Sequence, residues 1–320
     1  MPQVESFQTR FHRRWNHLND PHVRALAWLL DAPDLLDPEA PQWRGRIASL
    51  ANQTDHEVLG WLTALDRDPG ELRDYLGIQL GGQEFTRLGR YAEKLMAFYF
   101  RHRGVLLAHG VQVRAARNDT IGEFDFLLRH GDDLVHWEFA TKFYLLESGA
   151  AGLEADHFIG PNLADTLGAK MGKILDRQLM LSQHPAAQIH LSQSVASAQA
   201  LLRGWLFYHE VGPHAARESG VSKEHCRGFW RALAELESVQ AERYALLPRL
   251  SWLAPAKMAI AASLDRRALQ HALSRHFAQD TMPVLVALLE SHGDVALEVD
   301  RGFIVPDDWR HRAGQRIILA

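Results

Sequence analysis

The stretch IGEFDFLLRHGDDLVHWEFATKFYL, residues 121–145, sets Glu123, Asp125, Glu138 and Lys142 inside two hydrophobic runs joined by the polar turn RHGDD. Side chains alternate across a strand. Glu123, Asp125 and Leu127 should therefore share one face of the first run, with Phe124, Phe126 and Leu128 opposite. In the second run His136, Glu138, Ala140 and Lys142 should share a face, with Trp137, Phe139, Thr141 and Phe143 behind them. A solvent-facing side of an amphipathic hairpin would explain such a pattern. Two features weigh against it. Leu127, Leu134 and Ala140 interrupt the polar face, and Asp and Glu are poorly favoured in mid-strand. Two carboxylates on neighbouring strands can hold a hard divalent cation through oxygen ligands. A nearby ammonium can orient a water or stabilise charge developing on a phosphate. Together these suit phosphodiester hydrolysis.

The period of the chain predicts the elements that would carry these groups. QEFTRLGRYAEKLMAFYFRH reads as a helix over about 83–102, with Phe85, Leu88, Ala92, Leu95 and Tyr99 in one apolar stripe and Glu93 at its border. An extended segment follows at 104–115, then the hairpin 121–128 and 134–145. A helix is expected at about 163–181. On it Thr166, Lys170, Lys173 and Arg177 form a stripe beside Leu163, Leu167, Met171 and Ile174. These cations either face a phosphate or snorkel along a buried helix flank. ALLRGWLFYH, 200–209, reads as a strand.

GEFDFLL…LVHWEFATK resembles the core motif of the PD-(D/E)XK nuclease superfamily, in which a hairpin supplies Asp from one strand and Glu-x-Lys from the next. The resemblance implies a restriction-endonuclease-like α/β (α+β) fold, a central mixed sheet flanked by helices. It also implies that Asp125 and Glu138 are metal ligands and that Glu93 is the acid many members carry on the preceding helix. The pattern's lysine falls at Ala140, and Lys142 lies two residues further on the same face. That is roughly 6–7 Å along a strand. Lys142 would have to reach back to stand in. In such nucleases the next helix often turns basic or amide side chains toward the site, which gives Lys170, Lys173 and Arg177 a phosphate-binding role. The order of elements covers residues 83–210.

A second resemblance spans nearly the whole chain. DPHVRALAWLLDAPDLL, HWEFATKFYL, GPNLADTLGAKMGKILDRQL and RGFIVPDDW together are similar to an uncharacterised bacterial family, a domain of unknown function numbered eighteen fifty-three. The organisation expected is an N-terminal helical region (1–82), a nuclease-like core (83–210) and a mixed α/β C-terminal region (211–320) packed on it as one unit. In the first region Asp20-Pro21 predicts a cap and first helical residue within a helical stretch at 7–36. In the last, CRGFWRALAELES is expected to be helical, and ERYALLPRLSWLAP, MPVLVALLE and EVDRGFIVP to be strands. Trp205, Trp230, Trp252 and Trp309 read as packing residues.

Composition bounds the function classes. The 320 residues are 47% hydrophobic and carry a formal charge of −4, so any polyanion site must be a local patch. The single cysteine, Cys226, excludes a disulfide framework and a cysteine-rich metal site. The chain has no GxSxG elbow, P-loop or HExxH. It has no signal-peptide run and no apolar run of membrane-spanning length, so a cytoplasmic protein with no membrane partner is expected. The leading expectation is a nuclease or phosphodiesterase using Mg²⁺ or Mn²⁺ on Asp125 and Glu138, with Lys142 in place of the displaced lysine and Glu93 assisting. Its competitor is a nuclease-like fold that binds nucleic acid or protein without cleaving, which the residue at Ala140 favours. A housekeeping α/β protein with an ordinary acidic surface is the third reading.

Overall fold

The computed structural model describes residues 5–50, 56–77, 85–116, 119–147, 155–209 and 219–318. The helical stretch expected at 7–36 is two helices, α1 (Phe7–Trp15) and α2 (Pro21–Asp31). The Asp20 side chain accepts the backbone N–H groups of His22 and Val23, and Pro21 opens α2 as anticipated. Two shorter helices follow, α3 (His56–Arg67) and α4 (Gly70–Leu76), then α5 (Leu88–His102). Residues 83–84 of the helix expected at 83–102 lie outside the described residues.

Next come β1 (Leu106–Ala116), β2 (Asp119–His130), β3 (Asp133–Leu146), the two-residue β4 (Phe158–Ile159), α6 (Leu167–Asp176) and β5 (Val195–Tyr208). The remaining elements are β6 (Cys226–Ala232), β7 (Arg243–Leu246), β8 (Lys257–Ala259), α7 (Arg266–Phe277), β9 (Val284–His292), β10 (Val295–Val305) and α8 (Trp309–Ile318). All ten strands join one mixed sheet in the order β1-β2-β3-β5-β6-β10-β9-β7, with β4 on β3 and β8 on β10. The β3–β5, β5–β6 and β6–β10 pairs are parallel, and the hairpins on either side are antiparallel.

Each face of a sheet with apolar side chains must be covered. On one face Phe11, Trp15 and Trp28 from α1 and α2, together with Leu95 and Phe100 from α5, pack on Phe126, Phe139, Phe143, Trp205 and Phe303. On the other, Leu167, Met171 and Ile174 of α6 pack on Ala140, Tyr144, Leu202 and Leu206. At the far end Leu269 and Leu273 of α7 cover Tyr244, Val286 and Ile304. Trp205, Trp230 and Trp309 are buried core, and Trp252 packs against them half-exposed.

Several expectations from periodicity fail: of ERYALLPRLSWLAP only Arg243–Leu246 is a strand and Arg249–Ser251 is a 3₁₀ turn, and the helix expected from 83 begins at Leu88. CRGFWRALAELES is a strand, β6, followed by a 3₁₀ turn at Leu233–Ser238. Its backbone is taken by β5 on one side and β10 on the other, and sheet pairing overrides a modest helical preference. The helix expected at 163–181 stops at Asp176, and the chain continues as a 3₁₀ segment, Gln178–Gln183. The stripe of Thr166, Lys170, Lys173 and Arg177 therefore loses its last member, because Arg177 has left helical geometry (φ −128°, ψ −59°).

A buried ion pair within β10 ties that strand to the 252–256 segment and to Trp205 of β5. Glu298 and Arg301 are both fully buried. Arg301 donates Nε to Glu298 Oε1 at 2.5 Å and a terminal nitrogen to the Ala254 carbonyl at 2.8 Å, and its guanidinium lies 4.2 Å from the Trp205 ring centroid. Glu298 Oε2 in turn accepts the Ala256 N–H at 2.8 Å. Removing one charge strands the other without solvent. Arg301→Met should cost about 3–5 kcal/mol of stability. Adding Glu298→Gln should recover part of that loss, read from urea midpoints at constant m-value.

Candidate functional site

The site arises where β2 leaves β3. The two strands pair only from Phe126↔Trp137 to His130↔Asp133, whereas the β1–β2 ladder runs on to Ala116↔Asp119. From Asp125 backwards β2 stays with β1 and parts from β3. The Asp125 carboxylate fills the gap: its Oδ2 accepts the Phe139 N–H at 2.9 Å, an N–H that a continued ladder would have given to the β2 main chain. A buried backbone N–H needs an acceptor, and here a side chain supplies it.

The same divergence breaks the alternation read from the sequence. Phe124 does not share a face with Phe126 and Leu128. It packs with Val113, Leu127, Leu134 and Leu181, edge-on to the His136 ring at 4.8 Å. The acids are not one row on one face; they converge from several elements into the opening. Glu93, at the middle of α5, joins Glu123 and Asp125, with one carboxylate oxygen from each lying within 4.8 Å of the others. Gly110 on β1 has φ +65°, and a Cβ there would sit 3.5 Å from Glu123 Oε1. A residue other than glycine would be strained at that φ, although its Cβ would make only ordinary contact with this carboxylate. His109 Nε2 lies 2.9 Å from Glu93 Oε1 and fixes its direction.

Glu138, which is 1% exposed, comes from β3 on the α6 side. Its Oε1 is 2.9 Å from His136 Nε2, and its Oε2 accepts from the Gln178 side-chain amide. Gln178 Oε1 accepts from Lys170 Nζ at 3.3 Å. Glu138 is close enough to Asp125 for its charge to act on the Asp125 carboxyl. Glu93, Glu123, Asp125 and Glu138 thus form one acidic constellation, with Lys170 as the cation facing it.

The remaining expected residues lie elsewhere. Lys142 does not reach back over Ala140. Its Nζ donates to Asp165 Oδ2 at 2.6 Å, and the Tyr144 hydroxyl donates to the same oxygen at 3.1 Å. On the backbone Lys142 pairs with Gly204, where any Cβ would collide with the Lys142 carbonyl. Lys173 is exposed but close enough to Lys170 to act on it, and Arg177 is exposed at the end of α6. Gln178 had no local signal in the sequence, since it becomes a neighbour of Glu138 only because α6 ends two residues earlier. Glu123 and His136 were legible as polar residues on the hairpin, but their roles depend on the bend.

The electrostatics follow from the crowding. Burial, then the Glu138 charge, raises the Asp125 carboxyl well above the ordinary carboxylate range. Burial raises Glu138 as well, and Lys170 opposes that rise. Burial lowers His136 to about 4, so at neutral pH its ring is uncharged and can present an N–H to Glu138. Burial and then Lys142 lower the Lys170 ammonium. The site has more negative charge than its own cation balances. It consists of oxygen donors, which is the donor set of a hard divalent cation.

The chain belongs to the family described as Domain of unknown function (DUF1853). The family model matches residues 24–305, which includes every residue of the constellation and both helices that cover it. No curated protein and no solved structure matches the chain. Within this DUF1853 chain, the match begins in α2 and ends with β10, so the whole sheet lies inside the family unit.

The raised carboxyls make a signed prediction. The folded protein holds protons on Asp125 and Glu138 that the unfolded chain releases near its ordinary pKa. The stability that these two groups contribute without added cation is therefore fully present below about pH 3.8 and is lost as pH rises to about 8, while buried His136 and His12, held below the ordinary imidazole range, act in the opposite sense below about 6.5. Asp300, raised to about 7 chiefly by burial, adds to the slope. Asp125→Asn should keep the bond to the Phe139 N–H and flatten the slope relative to the parent. Urea midpoints at pH 5 and pH 8.5 would measure it; parallel slopes in parent and variant would contradict the assignment.

Proposed function

We propose that this protein is a divalent-metal-dependent phosphodiester hydrolase, a nuclease of the PD-(D/E)XK type with a restriction-endonuclease-like sheet. The observation that carries the reading is the meeting of Glu93, Glu123 and Asp125 within 4.8 Å, with the Glu138 charge acting on Asp125. Mg²⁺ or Mn²⁺ would be held by Asp125 and Glu138, with Glu123 and Glu93 completing the oxygen set. The cation would supply charge stabilisation at a phosphoryl oxygen and acidify a water.

The chain's own residues do the rest. The Phe139 N–H anchors Asp125, and His136 and Gln178 hold the two oxygens of Glu138 in fixed directions. Such pre-set ligands need little reorganisation when charge develops. Lys170, rather than Lys142, supplies the ammonium that the sequence lacks at Ala140: it borders Asp125 and Glu138, whereas Lys142 is committed to Asp165. A lowered ammonium pKa makes Lys170 a better proton carrier near neutral pH. The second reading, a nuclease-like fold that binds without cleaving, draws on that same Lys142–Asp165 pair.

Calorimetric titration with Mg²⁺ and Mn²⁺, alongside cleavage of labelled DNA and RNA, tests the proposal. Asp125→Asn and Glu138→Gln should each weaken cation binding at least about tenfold, as loss of one charged ligand does. Lys170→Met should keep the cation and lose cleavage by about 10²-fold. Lys142→Met should leave cation binding intact and cleave far better than Lys170→Met. Cation binding without cleavage would favour the binding reading. A parent protein that binds neither cation at millimolar concentration would remove the metal site altogether.

A further inference from the structure

A pocket of about 260 Å³ lies further along the strand and helix that carry Glu138 and Glu93. It is lined by Thr141 and Lys142 of β3, by Arg87 and Gly89 at the start of α5, and by Asp165 and Arg249. Lys142 follows Glu138 by four residues on β3, about 13 Å further along. Glu93 and Arg87 are six residues apart on the α5 side, about 9 Å of helix rise. The pocket and the acidic constellation therefore draw on the same two elements, β3 and α5, about 9–13 Å apart.

The pocket's chemistry is opposite to that of the acidic site. Three cations line it against one carboxylate. Asp165 is already engaged by Lys142 and by the Tyr144 hydroxyl, which leaves Arg87 and Arg249 in excess. Among the described residues neither arginine makes an ion pair. The Arg249 guanidinium lies 5.5 Å from the Trp252 ring centroid, which holds it at the pocket rim. The Thr141 hydroxyl is buried and makes no hydrogen bond, an orphan donor in the pocket wall. Arg87 sits at the N-cap of α5 without a side-chain cap, so the first-turn N–H groups of that helix are not satisfied by one. Free guanidinium groups, an unused hydroxyl and uncapped helix N–H groups are all donors, and together they suit a phosphate.

We propose that this pocket is a phosphate-binding subsite that takes a flanking nucleotide of the strand whose phosphodiester lies at the acidic site. The proposal rests on the hydrolase reading for its choice of ligand. The division of labour is physical: a site with surplus negative charge repels a polyanion unless a cation is present, and a positive pocket further along β3 and α5 offsets that repulsion. Strand binding then need not depend on the cation.

The test uses the full chain in EDTA, with fluorescently labelled single-stranded DNA and RNA oligonucleotides, and with AMP and inorganic phosphate as small probes. The oligonucleotides should bind without divalent cation. Arg87→Ala/Arg249→Ala should weaken them at least tenfold and lower the slope of log K against log salt by about 0.7, the value for one phosphate contact on a single strand. Thr141→Val should weaken binding less, with an unchanged salt slope. Binding of AMP or phosphate that the double arginine variant abolishes would support the pocket even if the strand were not the natural ligand. Unchanged affinity and slope in the double variant would overturn the proposal, as would an absence of binding by all four probes. Cation titration of the same variant separates the two proposals. It should match the parent if the acidic site binds metal, and a parent that binds no cation yet holds oligonucleotide through the arginines would sink the hydrolase reading alone.

Discussion

The Phe139 N–H has one acceptor, the Asp125 carboxylate, and the arrangement of the site depends on that bond. β2 can part from β3 only if the backbone groups freed by the parting are satisfied. A side chain that replaces a main-chain carbonyl lets the ladder stop inside the protein without leaving an orphan donor. The opening then admits Glu93 from the helix above and turns Glu123 toward it. Glu138 remains on the intact side of β3, braced by His136 and Gln178. A continuous hairpin would have kept these acids apart on a flat face.

The cost of the arrangement is electrostatic. Four carboxyl groups gather in an opening with one partly buried ammonium, so burial and mutual repulsion favour protonated forms. The rest of the sheet offsets that cost. The long parallel pairing of β3 with β5, the tryptophan-rich core beneath α1 and α2, and the buried Glu298–Arg301 pair give the site a stiff frame. From Glu138 to Lys142 along β3 the sign of the surrounding charge changes. Lys142 and Tyr144 hold Asp165 at that transition, which accounts for a lysine that looked displaced when only its spacing from Glu138 was considered.

Much of the fold was legible where the physics is local. The α2 cap needs only Asp20 followed by Pro21, and the hairpin needs only two alternating runs about a polar turn. Glu93, Asp125 and Glu138 could be singled out because acids within apolar periodic segments are conspicuous wherever the chain places them. β6 was misread because its helical pattern yields to two parallel neighbours far away in sequence. The end of α6 was misplaced for a related reason: residues 178–183 keep a helix-compatible composition, yet Leu179 and Leu181 are drawn into separate cores as a 3₁₀ segment.

The sequence by itself determined which residue types are present and which carboxylates ride on the central hairpin and its preceding helix, because strand and helix periods are properties of the local chain. It also determined that the lysine place at 140 holds alanine. Only the tertiary structure decided where the strands separate, that Phe124 changes sides, that Gln178 meets Glu138, and that Lys170 faces the acids while Lys142 turns to Asp165. Those outcomes depend on backbone hydrogen bonds and charges supplied by segments distant in sequence, and no local period encodes them.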